Sequence, residues 1–327
     1  MKRLAITGSS GYLGSRLVEY FRQHHEGTKI LGLDVRPPER TGPDVFVQMD
    51  VRNPQLGEAI RDFRPDTVIH AAFAFAPMRD ERQMREINVE GSRNLLRIVA
   101  EQRPERLLVV SSATAYGAWP DNPVPMDETW PLRARKEFRY AADKTELEAL
   151  VAAFAGEHQD IATSWVRPCM IGGPHMENYL KRFIFGLPFL VLIDGYNAPL
   201  QFVHEEDVAA AIDAILTENA QGAFNVAPPD WITISDLARE TGRRVLKCPF
   251  WLVYGVHWLA WTIHFLNHES PASFLYFVRY PWVIDSTRLQ RELGYQFRFS
   301  SLDTVRRTVG SEGLVQGQQP PARSADR

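Results

Sequence analysis

The chain has 327 residues, 45% of them hydrophobic, which suits one large or two modest domains with a packed core. Its 37 Lys and Arg against 40 Asp and Glu leave a net charge of −3, with no basic excess to recruit nucleic acid. The two cysteines, Cys169 and Cys248, lie too far apart for a disulfide framework or a metal knuckle, and no His, Cys or carboxylate cluster has ligand spacing, so no metal and a reducing, cytoplasmic setting are expected.

The apolar run Leu4-Ala5-Ile6 leads into Thr7-Gly8-Ser9-Ser10-Gly11-Tyr12-Leu13-Gly14, and a helical stretch (Leu13, Leu17, Val18, Phe21) follows. Glycine at 8 permits the tight strand-to-helix turn, glycine at 11 lets backbone approach a pyrophosphate, and glycine at 14 lets the helix sit close on its strand. A second run, Lys29 to Leu33, ends in Asp34, where an acidic side chain accepts from a ribose diol. That combination reads as a dinucleotide pocket. The charge of Asp34 repels a 2′-phosphate and favours NAD; Arg36 is the residue that speaks for NADP.

Short apolar runs then alternate with helical patterns: Val45 to Met49 and Leu56 to Phe63; Thr67 to His70 and Met84 to Val99; Arg106 to Val110 and Phe138 to Phe154; Ile161 to Val166. Repeated strand, helix, strand predicts an α/β fold, a doubly wound parallel sheet of Rossmann type. Ligands on such sheets sit at the carboxyl ends of strands, which marks Gly8, Asp34, Asp50, His70-Ala71-Ala72, Ser111-Ser112 and Arg167-Pro168. From about residue 175 the pattern turns irregular and aromatic-rich. The expected division is a nucleotide-binding domain over 1–175, rejoined by about 199–227, and a smaller C-terminal substrate domain from 176–198 and 228–312. The polar tail 313–327 is expected to be disordered.

Tyr140 and Lys144 are four apart in a predicted helix, at the head of a stripe continuing through Leu147, Val151 and Phe154. A nearby ammonium favours tyrosinate and is expected to lower the phenol's pKa toward the working pH. Ser111-Ser112-Ala113-Thr114 follows the run Leu107 to Val110 directly, placing hydroxyls on the cofactor side of the sheet. Asn88 lies on the apolar side of its helix, either satisfied by backbone or working near the cofactor. His70 and His204 read as polar anchors at strand ends.

With these motifs in order, the chain resembles the extended short-chain dehydrogenase/reductase family, also called the NAD-dependent epimerase/dehydratase family, over roughly residues 3 to 227. The resemblance rests on the glycine loop, Asp34, Asp50-Val51, His70-Ala71-Ala72, Asn88, Ser111 to Gly117, Tyr140/Lys144, Arg167-Pro168 with Gly173-Pro174, and Phe202-Val203-His204 with Asp207. It implies Tyr140 as general acid/base, Ser112 on the reacting oxygen, and Lys144 holding the nicotinamide ribose while tuning Tyr140. It also implies NAD contacts from Gly8, Ser10, Gly11, Tyr12, Leu13, Asp34, Asp50 and Val51. Ala71, Ala72, Asn88 and Pro168 complete the candidate cofactor contacts, and Phe73, Thr114 and Met170 are the candidate substrate contacts.

Nucleotide-sugar members of the family carry an asparagine three residues after the arginine of the sixth strand and an arginine shortly before the Phe-x-x-Val/His motif. Here Met170 and the arginine-free stretch Asn197 to Gln201 stand instead, so placed donors for a diphosphate are lost. Residues 249–266 are crowded with aromatics, and Tyr254, Trp258, Trp261 and Phe265 form one stripe at helical spacing. Core packing, an apolar substrate pocket as in the hydroxysteroid dehydrogenase branch, and a peripheral membrane contact all fit that stripe. A spanning helix does not, because His257 and His264 interrupt a barely sufficient length. The expected activity is hydride transfer between NAD and a secondary alcohol or ketone. The alternatives are a nucleotide-sugar epimerase or dehydratase and a non-catalytic NAD-binding regulator, and a homodimer is left open.

Overall fold

The computed structural model describes residues 1–39, 42–263 and 269–310, so the tail 313–327, His264 and Phe265 lie outside the described residues. The apolar runs form strands buried on both faces, as a sheet covered by helices requires. In chain order these are β1 (Arg3–Thr7), β2 (Lys29–Asp34), β3 (Val45–Gln48), β4 (Thr67–His70), β5 (Arg106–Val110) and β6 (Ala162–Pro168). With a later strand (Gly222–Val226) they make a sheet ordered 222–226, β6, β5, β4, β1, β2, β3, every neighbouring pair parallel. The chain reverses direction across the sheet between β1 and β4. That switch point, at the carboxyl ends of both strands, is where a doubly wound sheet opens a crevice.

Helix α1 (Tyr12–His24) buries Gly14, Leu17, Val18 and Phe21, the i, i+3, i+4, i+7 stripe of an amphipathic helix. Helix α2 (Leu56–Phe63) buries Leu56, Ile60 and Phe63 in the same way. The single helix expected over Met84 to Val99 is instead three pieces. Asp80 caps α3 (Glu81–Arg85), a π-helical turn spans Glu86–Glu90, and α4 (Gly91–Gln102) continues. The wider turn changes the helical phase at Asn88, which is completely buried. Periodicity read at a constant 3.6 residues per turn cannot register such an insertion. Helix α5 (Arg139–Glu157) then carries Tyr140 and Lys144 inward.

Beyond β6 the elements shorten: β7 (Met170–Gly172), α6 (Tyr179–Phe185), β8 (Phe189–Ile193), β9 (Pro199–Leu200), β10 (Phe202–His204) and α7 (Glu205–Thr217). The strand Gly222–Val226, β11, returns to the main sheet on β6. Then come β12 (Ile232–Thr233), α8 (Ile234–Glu240), β13 (Arg244–Cys248), α9 (Phe250–Thr262), α10 (Leu275–Arg279), α11 (Thr287–Leu293) and α12 (Ser301–Val309). β7 pairs with β10, β8 with β13 and β9 with β12, each outside the main sheet. One apolar cluster runs from Leu4 and Ile6 to Trp282, Ile284, Leu289 and Val305, so these later elements pack directly onto the sheet. His204 caps α7 through its side chain, and His70 bridges Thr7 and Ser92, so both histidines are polar anchors at strand ends. Burial, aided by the charge of Lys144, lowers the pKa of His70 to about 3 and keeps it neutral.

Candidate active site

The glycine loop sits in the crevice at the switch point. Gly8 has a φ of +72°, and a side chain there would meet the Ala71–Ala72 backbone within 2.7 Å, so β1 and the continuation of β4 close on each other as only glycine allows. A Cβ at Gly14 would stand 1.9 Å from the Gly8 carbonyl oxygen, which fixes how closely α1 rides on its strand. Gly11, at the N-cap of α1, offers no side-chain cap, so the first N–H groups of the helix remain for an oxyanion.

The Ser9 and Ser10 hydroxyls are buried without a protein partner beside that helix start. Asp34 accepts from Ser10 N at 3.0 Å and from Arg36 N at 3.0 Å, which ties the second strand to the loop and leaves carboxylate lone pairs over for a diol. Asp50 follows β3 next to Asp34, where Met49 N donates to Asp34 O, but its carboxylate is paired with Arg52, whose guanidinium holds it below the usual carboxylate range. Val51 packs beneath against Gly91. Orphaned hydroxyls, a bare helix start and an acceptor at the end of β2 fit a dinucleotide.

At the end of β5, Ser112 caps a short 3₁₀ turn, its Oγ accepting from Thr114 N at 3.2 Å and from Thr114 Oγ1 at 3.0 Å. The Ser112 hydroxyl also acts on the Tyr140 phenol, favouring its charged form. Phe73, Phe75 and Phe138 surround the tyrosine, with ring centroids at 5.6, 5.4 and 6.0 Å. Lys144 Nζ lies 3.5 Å above the Phe73 ring centroid, 5.8 Å from that of Tyr140, and donates to Val110 O at 2.7 Å. Three of the sequence candidates, Ser112, Tyr140 and Lys144, thus converge, with Thr114 and Phe73 in contact.

The charge balance differs from expectation. Burial pushes the Tyr140 hydroxyl above the ordinary phenol value, and the Ser112 bond offsets this only in part. Burial likewise lowers Lys144 to about 7, opposed by Glu148 and Asp143. A desolvated phenol beside a lysine that is itself partly neutral stays protonated, so the expected lowering by the ammonium is overturned in this state.

Asn88 has both ends of its amide engaged: Oδ1 accepts from Ala74 N at 2.6 Å, and Nδ2 donates to Asp143 Oδ2 at 3.1 Å. It thereby ties the loop that carries Phe73 to the helix that carries Tyr140. Pro168 ends β6 opposite Val226, and Met170 packs in the core opposite Phe202. Tyr12 reaches away from the loop and donates its hydroxyl to Glu205 Oε2 at 2.5 Å.

A cleft beside Tyr140 is lined by Pro77, Met78, Met84, Phe138, Trp261 and Pro271, with Glu81 and Arg139 as its charged members. Trp261 belongs to the stripe for which a substrate pocket was one expectation. Sequence reading missed Phe75 and Phe138, although Phe138 carried a faint signal, standing two residues before Tyr140 at the helix entry. It also missed Glu148, whose carboxylate accepts from Ser111 Oγ at 2.5 Å, Arg167 Nη2 at 2.6 Å and Trp165 Nε1 at 2.8 Å, locking β5, β6 and α5 together.

The model of the NAD dependent epimerase/dehydratase family matches residues 4–227. The chain belongs to this family. Its members are NAD-dependent enzymes. A protein of Mycobacterium tuberculosis described as uncharacterized is 29% identical over 325 residues, covering 96% of this chain and 85% of its own length. The decarboxylating sterol-4-alpha-carboxylate 3-dehydrogenase of Candida albicans is 29% identical over 186 residues, 53% of this chain and 52% of its own. Among solved structures, UDP-glucose-4-epimerase from Stenotrophomonas maltophila, with bound NAD and formylated UDP-arabinopyranose, superposes with a TM-score of 0.73 at 21% identity, over 94% of this chain and 97% of that one. This epimerase/dehydratase likeness extends over the fold, including the helices beyond residue 227.

Proposed function

We propose that this chain binds NAD and transfers hydride to or from the carbon of a secondary alcohol or ketone, with Tyr140 as general acid/base and a predominantly apolar substrate. The observation that carries this reading is the convergence of Thr114, Ser112, Tyr140 and Lys144 at the end of β5, beside a mostly apolar cleft and the glycine loop of a dinucleotide crevice. NAD, when bound, supplies the acceptor or donor of the hydride. Gly8, Ser10, Gly11, Tyr12 and Leu13 would hold its phosphates and Asp34 its adenosine ribose, with Asp50, Val51, Ala71, Ala72 and Pro168 along the crevice.

Ser112 orients the substrate oxygen by hydrogen bonding. Protonated Tyr140 gives its proton to the substrate oxygen in reduction, and the tyrosinate, once formed, accepts the hydroxyl proton in oxidation. Because burial keeps Tyr140 protonated, the resting site is set to donate. Cationic Lys144 makes the tyrosine a stronger acid, and the spare N–H groups beyond its bond to Val110 O are available to a ribose hydroxyl.

On this reading the substrate side is formed by the rings around Tyr140, Phe73, Phe75 and Phe138, with Trp261 of α9 in the cleft beside them. Most of that lining is apolar and its one guanidinium, Arg139, is paired with Asp143, and the sterol dehydrogenase relative accords with a flat apolar ligand. The second reading, a nucleotide-sugar epimerase or dehydratase, is favoured by the ligands of the similar solved structures. A thermal-shift panel run with NAD present separates them, because a ligand of the native state raises the melting temperature by mass action. Sterols and aryl alcohols are expected to stabilise the protein. Stabilisation by UDP- or TDP-sugars alone would reverse the assignment. With the stabilising alcohol, accumulation of NADH marks a dehydrogenase, whereas conversion without net NADH marks an epimerase.

A further inference from the structure

We infer that helix α9 docks this protein on an anionic lipid surface. Its inner side is anchored: Phe250 and Tyr254 lie against Tyr276 at 5.3 and 6.1 Å, and His257 is buried against Phe183 at 5.9 Å. Its outer side presents Trp251, Leu252, Val256, Trp258, Leu259 and Ile263 to solvent, with Trp251 73%, Val256 62% and Trp258 54% exposed. These six share one arc of the helix with the exposed Gly255 and with Thr262, whose hydroxyl is turned back onto Trp258 O, and the arc carries no charge. A contiguous apolar face of this kind needs an occupant.

Charge selects the occupant. From Arg243 to His268 the sequence holds Arg243, Arg244 and Lys247 and no Asp or Glu, in a chain that is acidic overall. Arg244 and Lys247 are exposed on β13, which runs straight into α9. Aromatic and aliphatic side chains flanked by basic residues match a bilayer interface, with the apolar face among the acyl chains and the cations at phosphate level. The helix lies on the surface rather than crossing it. Its 13 residues span about 20 Å, short of the roughly 30 Å hydrocarbon core, and no helix among the described residues is long and apolar enough to cross a membrane. Trp261, on the inner side of the same helix, lines the cleft beside Tyr140, so docking would set that cleft close to the lipid.

The test is co-sedimentation of the full chain with phosphatidylcholine vesicles, with and without phosphatidylglycerol. It uses neither substrate nor cofactor, so its outcome is independent of the proposed reaction. The wild type is expected to pellet with the anionic vesicles. Trp251→Glu combined with Trp258→Glu is expected to reduce partitioning about tenfold or more with an unchanged melting temperature, and Arg244→Glu with Lys247→Glu to abolish the preference for phosphatidylglycerol. Absence of vesicle binding, or equal binding by the tryptophan variant, overturns the inference. So does a wild-type dimer in light scattering that the tryptophan variant converts to monomer without any vesicle binding, which would assign the face to a second copy.

Discussion

Replacing Tyr140 by phenylalanine separates chemistry from folding at this site. The ring keeps its place among Phe73, Phe75 and Phe138, so no cavity forms. The lost hydroxyl leaves Ser112 with its two Thr114 partners, and one neutral hydrogen bond contributes about 1 kcal/mol. Removing a buried phenol oxygen offsets part of that loss, so the melting temperature should move by no more than about 4 °C. A general acid/base contributes about 10²-fold or more to rate, or roughly 2.7 kcal/mol of barrier. The catalytic loss therefore exceeds the structural one clearly enough to measure. The assay follows NADH with the alcohol or ketone found in the thermal panel, beside calorimetric titration of NAD. Near-native NAD affinity with rate reduced about a hundredfold is expected. Retention of more than about a tenth of the rate, or loss of NAD binding, would refute the acid/base assignment.

Asp34→Ala removes an acceptor that also holds Ser10 N and Arg36 N; calorimetry should show weaker NAD binding and relaxed discrimination against NADP, and a wild type that prefers NADP would contradict this. Gly14→Ala drives a methyl into the Gly8 carbonyl, which should cost about 3 kcal/mol in chemical denaturation; unchanged stability would mean that the loop is looser than described. In ketone reduction, kcat/KM for the reduced cofactor reports groups of the free enzyme. Lys144 is cationic below about 7 and then strengthens Tyr140 as a donor, so this parameter should be highest at low pH and fall as pH rises through about 7. Lys144→Met should flatten that limb, and a limb that persists in the variant would assign it to another group.

The sheet was legible because buried parallel strands are short apolar runs whose ends are marked by turn residues, and strands Thr67–His70 and Arg106–Val110 coincide with their expected limits, as does helix Leu56–Phe63. The π-helical turn at Glu86–Glu90 was not, since it leaves no mark on an averaged helical period. Convergence of Ser112, Tyr140 and Lys144 could be read from strand-end position and helical spacing. The sign of the tyrosine's shift could not, because it depends on how much water Phe73, Phe75 and Phe138 exclude. The aromatic stripe shows the same boundary. Spacing groups Tyr254, Trp258 and Trp261 on one side of a helix, yet the structure buries His257, half-covers Tyr254 and Trp261 and exposes Trp258. A helix apolar all round has no polar face to say which side turns inward, so only the partners at Tyr276 and Phe183 decide it.

Lys144 is distinguished from a lysine that merely threads past apolar groups by what its neighbours are already doing. Asp143, one residue before it, is paired with Arg139, and Glu148, one turn after it, with Arg167. Both carboxylates adjoining the ammonium are therefore claimed by guanidinium groups, and among the described residues Lys144 has no salt bridge of its own. Its anchor is a carbonyl oxygen, Val110 O, and its surroundings include the face of Phe73. A buried ammonium held this way keeps its charge only weakly, which is why it falls to about 7, and it retains N–H groups that no protein atom uses. The arginine pairs serve a second end, since Asp143 also anchors Asn88 and Glu148 also anchors Ser111. Burial outweighs the pull of both carboxylates, so the lysine is responsive at neutral pH and its unused N–H groups are available to whatever occupies the site.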